Sequence, residues 1–411
     1  MTEATAGRIV AQIQLSSPLS APTLRTRELG AVFRDTTSSY KFFWLLAIID
    51  LLPEFDRPLP AARLVQAMVI RAWAAVALFR LSLGKVDRLQ DCVRALQASS
   101  GLPARTSPAR LSRALDAWPA LPDWVDELAR FVPGRFLGTW FPQAARATPY
   151  DRRGSRELVA VSDCAFGRAD SGPYRLIETR DAVLVELAPG WRDWLGANRA
   201  LVLGFAEQQL TRYLQVRNPN VPGIVNKLEL PRRRSLGPAR AWWAEIIAQA
   251  GEPALADIFT GETLDERFEV DHFLPWSFVV HDEFWNLAPI VPAVNRNKSD
   301  HLPALDLYLP RLAALHAGVL RRPGLPRGLA QTYAEFLGVD PPQLIGLTQQ
   351  WIEDRYHQLV RPLAQIAANQ GFPTDWCSLA EAGDAQEFAA EGGGQAIGLL
   401  GSPGREVRGK R

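Results

Sequence analysis

Apolar and polar positions in the first third of the chain recur at helical spacing. The stretch "SSYKFFWLLAIIDLL" opens with serines suited to a helix cap and is apolar nearly all round, which predicts a buried helix from Ser38 onward. "PAARLVQAMVIRAWAAVALFRLSLG" starts at a proline and stops at Gly84, predicting one helix over that whole span. "LPDWVDELARFV" predicts another, with Pro122 in its first turn and Asp123 beside it, where a missing N–H and an acid both suit a helix start. Residues 1 to about 35 show little periodicity. A helical domain is therefore expected over residues 1–150.

Near residue 174 the period changes from helical to two. "YRLIE" and "VLVEL" flank the polar "TRDA", which predicts a β-hairpin. The following "GWRDWLGANRALVLGFAEQQLTRYLQVRN" reads as one long helix with Trp191, Trp194, Leu195, Val202 and Phe205 toward a core, broken by Pro219. "NPNVPGIVNKLELPRRRSLGP" reads as a proline-punctuated loop, and "ARAWWAEIIAQA" as a helix. "DIFTGETLDERFEVDHFLPWS" predicts a short two-stranded pattern turning near Gly261. "WNLAPIV" predicts a further strand, and Pro292 marks the first turn of a helix on which Asn295, Lys298 and Ser299 share one face. More helices are expected beyond Leu309, and the Gly/Ala/Glu-rich stretch 378–411 is expected to be disordered.

Composition changes this picture little. The 411 residues are 47% hydrophobic and 22% charged, ordinary for globular domains and enough for two or three of them. The start of the chain lacks a basic segment followed by an apolar core, so a cytoplasmic protein without a membrane partner is expected. Cys92, Cys164 and Cys377 lie too far apart for a zinc knuckle or a disulfide framework. The net charge of +2 confines any polyanion surface to a local patch. One such patch runs from Arg212 to Arg240, with Arg217, Lys227, Arg232, Arg233 and Arg234 between them; it reads either as a solvated loop or as a phosphate contact. All five histidines lie beyond residue 270, which points the chemistry to the C-terminal part.

There, "FEVDHFLPWS" ends a strand-like alternation in an aspartate and a histidine, groups that are costly to bury unpaired. Alternation puts Phe268, Val270 and His272 toward one side and Glu269 and Asp271 toward the other. Strand, loop, strand and helix, with Val270, Asp271 and His272 followed by Pro275, Ser277, Asn286, Asn295, Lys298, Ser299, Asp300 and Pro303, resembles the HNH endonucleases of the ββα-metal, or His-Me finger, class. The similarity extends to HNH domains inside RNA-guided CRISPR nucleases, and intervals of 14 and 23 residues from His272 to Asn286 and Asn295 reproduce the family spacing. It covers about 75 residues and lacks the cysteine pairs of many relatives.

The periodic pattern predicts an α+β, mostly helical fold with a helical N-terminal domain, a hairpin, helix and basic-loop region over 151–235 as a candidate for nucleic-acid recognition, and C-terminal helices over 311–377; the resemblance adds an HNH nuclease domain over 236–310. The resemblance implies His272 as general base, Asp271 and Asn295 as ligands of one Mg²⁺ or Mn²⁺ ion, and Asn286 as the residue that orders the hairpin loop. Lys298 reads as a phosphate contact or a solvated lysine, and His281 and His301 as surface residues. The expected partner is duplex DNA, and the expected activity is DNA phosphodiester hydrolysis in restriction or anti-phage defence. The alternatives are a nuclease effector acting on RNA or awaiting a partner, and a non-catalytic nucleic-acid-binding protein that keeps the fold.

Overall fold

The computed structural model describes residues 24–378 except 35, 148–153, 169, 181, 232–235 and 250–253. Residues 1–23 of the weakly periodic start, all but the first residue of the glycine-rich tail, and Arg232, Arg233 and Arg234 lie outside the described residues. The fold is α+β and mostly helical. It divides into two compact units, Met1–Arg234 with Ser277–Val280, and Ser235–Trp276 with His281–Arg411.

The first unit contains α1 (Arg27–Ala31), α2 (Tyr40–Asp50), β1 (Leu59–Pro60), α3 (Ala61–Trp73), α4 (Arg88–Ser100), α5 (Pro108–Asp116), α6 (Leu121–Leu137), α7 (Pro142–Ala147), α8 (Gly154–Ala165), β2 (Tyr174–Glu178), β3 (Val183–Leu187), α9 (Pro189–Ala197) and α10 (Arg199–Arg217). Helix α2 has no polar face, and accordingly every residue from Phe42 to Ile49 is buried, packed by α3, α6 and α10. Trp44 keeps its indole N–H satisfied by donating to the Tyr174 hydroxyl at 3.0 Å, which donates onward to the Pro133 carbonyl at 2.7 Å. Asp87 caps α4 by accepting from Leu89 N and Gln90 N, while its other oxygen accepts from Ser39 N at 2.8 Å.

Two expectations in this unit need correction. The helix expected to reach Gly84 ends earlier: a π-helical turn over Ala74–Leu78 follows α3, and Arg80 then takes φ +54, outside helical geometry. The long helix after the hairpin is two helices, because Asn198 leaves helical geometry with φ −108 and ψ 18, and its amide donates back to the Trp194 carbonyl. The hairpin itself forms with Leu176 opposite Val185, but β1 joins it on the β3 side. A two-residue strand containing proline leaves no periodic signal, and only at a sheet edge can Pro60 do without a donor.

The segment Ala61–Leu78, with a mean hydropathy of 1.4, is long and apolar enough to cross a membrane by composition alone. It contains Arg71, which is ion-paired to Asp50 and Glu229, and it lies largely buried as the expected core helix.

The second unit contains α11 (Gly237–Ala248), β4 (Glu269–His272), β5 (Leu287–Ile290), α13 (Pro292–Lys298), α14 (Leu305–Leu320), α15 (Arg327–Leu337) and α16 (Gln349–Asn369); the short α12 (Trp276–Val279) lies in the chain between β4 and β5. Its core gathers Trp243, Phe284, His316, Tyr333 and Tyr356, all buried. His316 Nδ1 lies 2.5 Å from the Tyr333 hydroxyl, and burial pulls the His316 pKa down to about 3. The two-stranded pattern expected around Gly261 reduces to a single bridge between Ala256 and Thr263. Asp257 prevents a longer ladder by turning the chain, its Oδ1 accepting from Phe259 N and Thr260 N.

Candidate active site

Strand β4 alternates as its sequence requires: Val270 and His272 are buried, while Glu269 and Asp271 are half-buried on the opposite face. It pairs antiparallel with β5, placing Asp271 opposite Ala288 and His272 opposite Leu287. Directly after His272 the chain is held by Asn286, whose Oδ1 accepts from Leu274 N at 2.8 Å and whose Nδ2 donates to the Leu274 carbonyl at 3.0 Å. Phe273 N also donates to the Asn286 carbonyl. Asn286 thus closes the loop that follows the histidine.

Helix α13 begins at Pro292, and its preceding residue is anchored by Val291 N donating to Asp257 Oδ2 at 2.6 Å. Asp257 is buried, and that burial raises its pKa, against the backbone N–H groups that stabilise the carboxylate. From α13, Asn295 Nδ2 donates to Glu269 Oε2 at 2.6 Å and Lys298 Nζ donates to Asp271 Oδ2 at 2.8 Å. Both side chains therefore reach the Glu269–Asp271 face of β4. Asn297 points elsewhere and accepts from Trp376 Nε1 at 2.9 Å, as a turn of about 100° per residue demands.

Ser299 does not share that face. The helix ends at Lys298, and Ser299 has φ +47 and ψ −130, leaving the helical path. Lys298 is neither a solvated lysine nor an exposed phosphate contact in this arrangement: it is fully buried and also donates to the His272 carbonyl at 2.7 Å. His281 and His301 are half-buried, His301 Nδ1 lying 2.7 Å from the Lys298 carbonyl.

His272 has a side chain only 4% exposed, and its Nε2 lies 2.9 Å from Asp282 Oδ1. Asp282 escaped the sequence reading because an acid in a polar loop carries no periodic signal. Glu269 was more accessible to it, since alternation already placed it beside Asp271. Among the described residues of the basic run, Lys227 is buried and donates to the Phe278 carbonyl, Arg217 stacks on Tyr213, and the exposed Arg240 donates to the carbonyls of Phe268 and Glu266. Burial lowers the Lys227 pKa to about 7. Arg212 is exposed.

Residues 256–304 match the HNH endonuclease family. An HNH endonuclease domain thus lies within a longer chain, and it holds Asp257, Glu269, Asp271, His272, Asp282, Asn286, Asn295 and Lys298, with β4, β5 and α13. No curated protein matches the chain. No solved structure matches it.

The residues of the HNH domain suit a hard divalent cation. Lys298 engages Asp271 Oδ2 and Glu269 engages the Asn295 amide nitrogen, so Asp271 Oδ1 and Asn295 Oδ1 are the oxygens that those two bonds leave for a cation. Among the described residues no group of three or more His, Cys, Asp or Glu is placed to hold a metal ion. Two side-chain oxygens, with water and phosphate oxygens to complete the shell, are a donor set for a hard divalent cation rather than for structural zinc.

Proposed function

We propose that the chain is a metal-dependent endonuclease that hydrolyses phosphodiester bonds of duplex DNA, acting in the cytoplasm in a restriction or anti-phage role. The observation that carries this reading is that the HNH domain holds Asp271 and His272 at the end of β4, with Asn295 on α13 reaching the Glu269–Asp271 face of that strand. Their spacing, and the Pro303 that closes the motif, also support a likeness to the HNH domains of RNA-guided nucleases.

In this mechanism His272 accepts a proton from a water molecule as the water oxygen attacks phosphorus. An imidazole is suited to that transfer near neutral pH. Asp271 and Asn295 would hold one Mg²⁺ or Mn²⁺, which supplies counter-charge to the phosphate and the departing oxygen. Asn286 keeps the turn after His272 closed, and Glu269 keeps the Asn295 amide oriented. Arg232, Arg233 and Arg234 remain candidates for backbone phosphate contacts.

A second reading, a nuclease activated by RNA or a partner, draws on the buried Lys298 ammonium already seated on Asp271, which a dication would have to share or displace. Purified protein incubated with supercoiled plasmid, linear duplex, single-stranded DNA and RNA, with Mg²⁺, Mn²⁺ or EDTA, separates the readings. Metal-dependent nicking or linearisation of plasmid is expected. DNA retained but uncut under every condition would replace the proposal with a binding module.

A further inference from the structure

The imidazole of His272 is enclosed on all but a sliver of its surface, and the polar side chain that meets it comes from ten residues further along the chain. Asp282 stands in the β4–β5 connection, two residues after Val280, whose φ of +57 is rare for a β-branched residue and turns the chain sharply. Its carboxylate is 35% exposed, so water reaches it and the fold does not depend on burying it. That geometry has a chemical consequence. A carboxylate only accepts hydrogen bonds, so a neutral His272 must carry its proton on Nε2. The lone pair is then on Nδ1, and only an unprotonated nitrogen can take a proton from water.

We infer that Asp282 is the positioning residue of this site: it selects the Nε2–H tautomer of His272, aims Nδ1 at the attacking water, and offsets the imidazolium charge after transfer. The inference rests on the nuclease reading. In the step, a water O–H bond breaks and its proton moves to Nδ1, the water oxygen forms a bond to phosphorus, and the bond from phosphorus to the leaving sugar oxygen breaks. Asp282 takes no proton and touches no substrate. Its contribution is to remove the unproductive tautomer and to keep a buried cation from standing unpaired, a costly condition in a poorly solvated site.

The test uses the full chain and the variants Asp282→Ala, Asp282→Asn, Asp282→Glu and His272→Ala. Loss of an orienting partner of this kind typically costs about 10- to 100-fold in activity, and that drop is expected in the single-turnover rate of Asp282→Ala and Asp282→Asn at saturating DNA and metal. DNA affinity and metal half-saturation should stay at wild-type values, the melting temperature should fall only by the few degrees that one lost hydrogen bond costs, and Asp282→Glu should recover most of the rate. Long-range ¹⁵N–¹H spectra of the histidine side chains should show His272 as the Nε2–H tautomer in the wild type and a shifted tautomer ratio in Asp282→Ala. Asp282→Ala and Asp282→Asn cleaving as fast as the wild type while His272→Ala is inactive would overturn this inference and leave the nuclease reading standing. A His272 that carries its proton on Nδ1 in the wild type would also overturn it. A wild type inert on every substrate with either metal would overturn the nuclease reading and this inference together.

Discussion

Lys298 Nζ and Asp271 Oδ2 form a 2.8 Å ion pair in which the lysine side chain is 1% exposed and the aspartate 18%. An ammonium so deeply placed is stabilised only by what it touches, here the carboxylate and the His272 carbonyl. Lys298→Met should therefore lower stability, by about 3 kcal/mol as for other broken buried pairs. Because the same change frees the Asp271 carboxylate from a competing cation, added Mg²⁺ or Mn²⁺ should raise the melting temperature of Lys298→Met more than that of the wild type. Scanning calorimetry with and without metal checks both; equal metal-induced shifts would mean that Asp271 does not meet the ion.

His272→Ala should abolish cleavage and leave DNA affinity within a few-fold, since the buried imidazole moves a proton and presents little surface for docking. Removing a general base costs about two to four decades in rate. Single-turnover kinetics on plasmid substrate, paired with a binding titration in EDTA, measure the two effects separately.

Three asparagines should part company. Asn295→Ala should remove most activity and raise the Mg²⁺ concentration needed for what remains. Asn297→Ala loses one hydrogen bond to Trp376 and should cost about 1 kcal/mol without altering the metal requirement. Asn286→Ala strands the N–H and the carbonyl of buried Leu274, and should cost about 2–3 kcal/mol and slow cleavage through disorder of the loop. Metal titrations and melting curves on the three variants decide the assignment; a raised requirement in Asn297→Ala alone would exchange the roles of the two helix positions.

Acid should destabilise the second unit through His316. Its folded pKa of about 3 lies below the ordinary histidine value of 6.5, because burial disfavours the charged form. Between those values the unfolded chain binds a proton that the native state does not, so unfolding is favoured progressively as pH falls below 6.5. The slope is at most about 1.4 kcal/mol per pH unit from this one group, and it vanishes once pH drops through the folded value. Urea midpoints from pH 7 to 5, above most carboxylate titration, should fall less steeply in His316→Gln than in the wild type. Parallel slopes would show that His316 is not buried neutral.

Much of the site was legible before any coordinates because local geometry is periodic. A two-residue repeat put His272 and Asp271 on opposite faces of a strand, and a 3.6-residue repeat separated Asn295 from Asn297, whatever surrounds them. Proline at 292 marked a helix start for the same local reason, and hydrophobic spacing marked the helical core of the first unit. Tertiary structure alone decided which groups meet. Lys227 and Lys298 read as solvated charges or phosphate contacts, not as buried groups, because burial depends on a carbonyl 51 residues away in one case and on a carboxylate 27 residues away in the other. β1 exists only because β3 offers it an edge, and Asp282 reaches His272 only once the loop between the strands has closed. Periodicity along a chain dictates where a side chain points; the free energy of pairing it is settled by residues that only folding brings within reach.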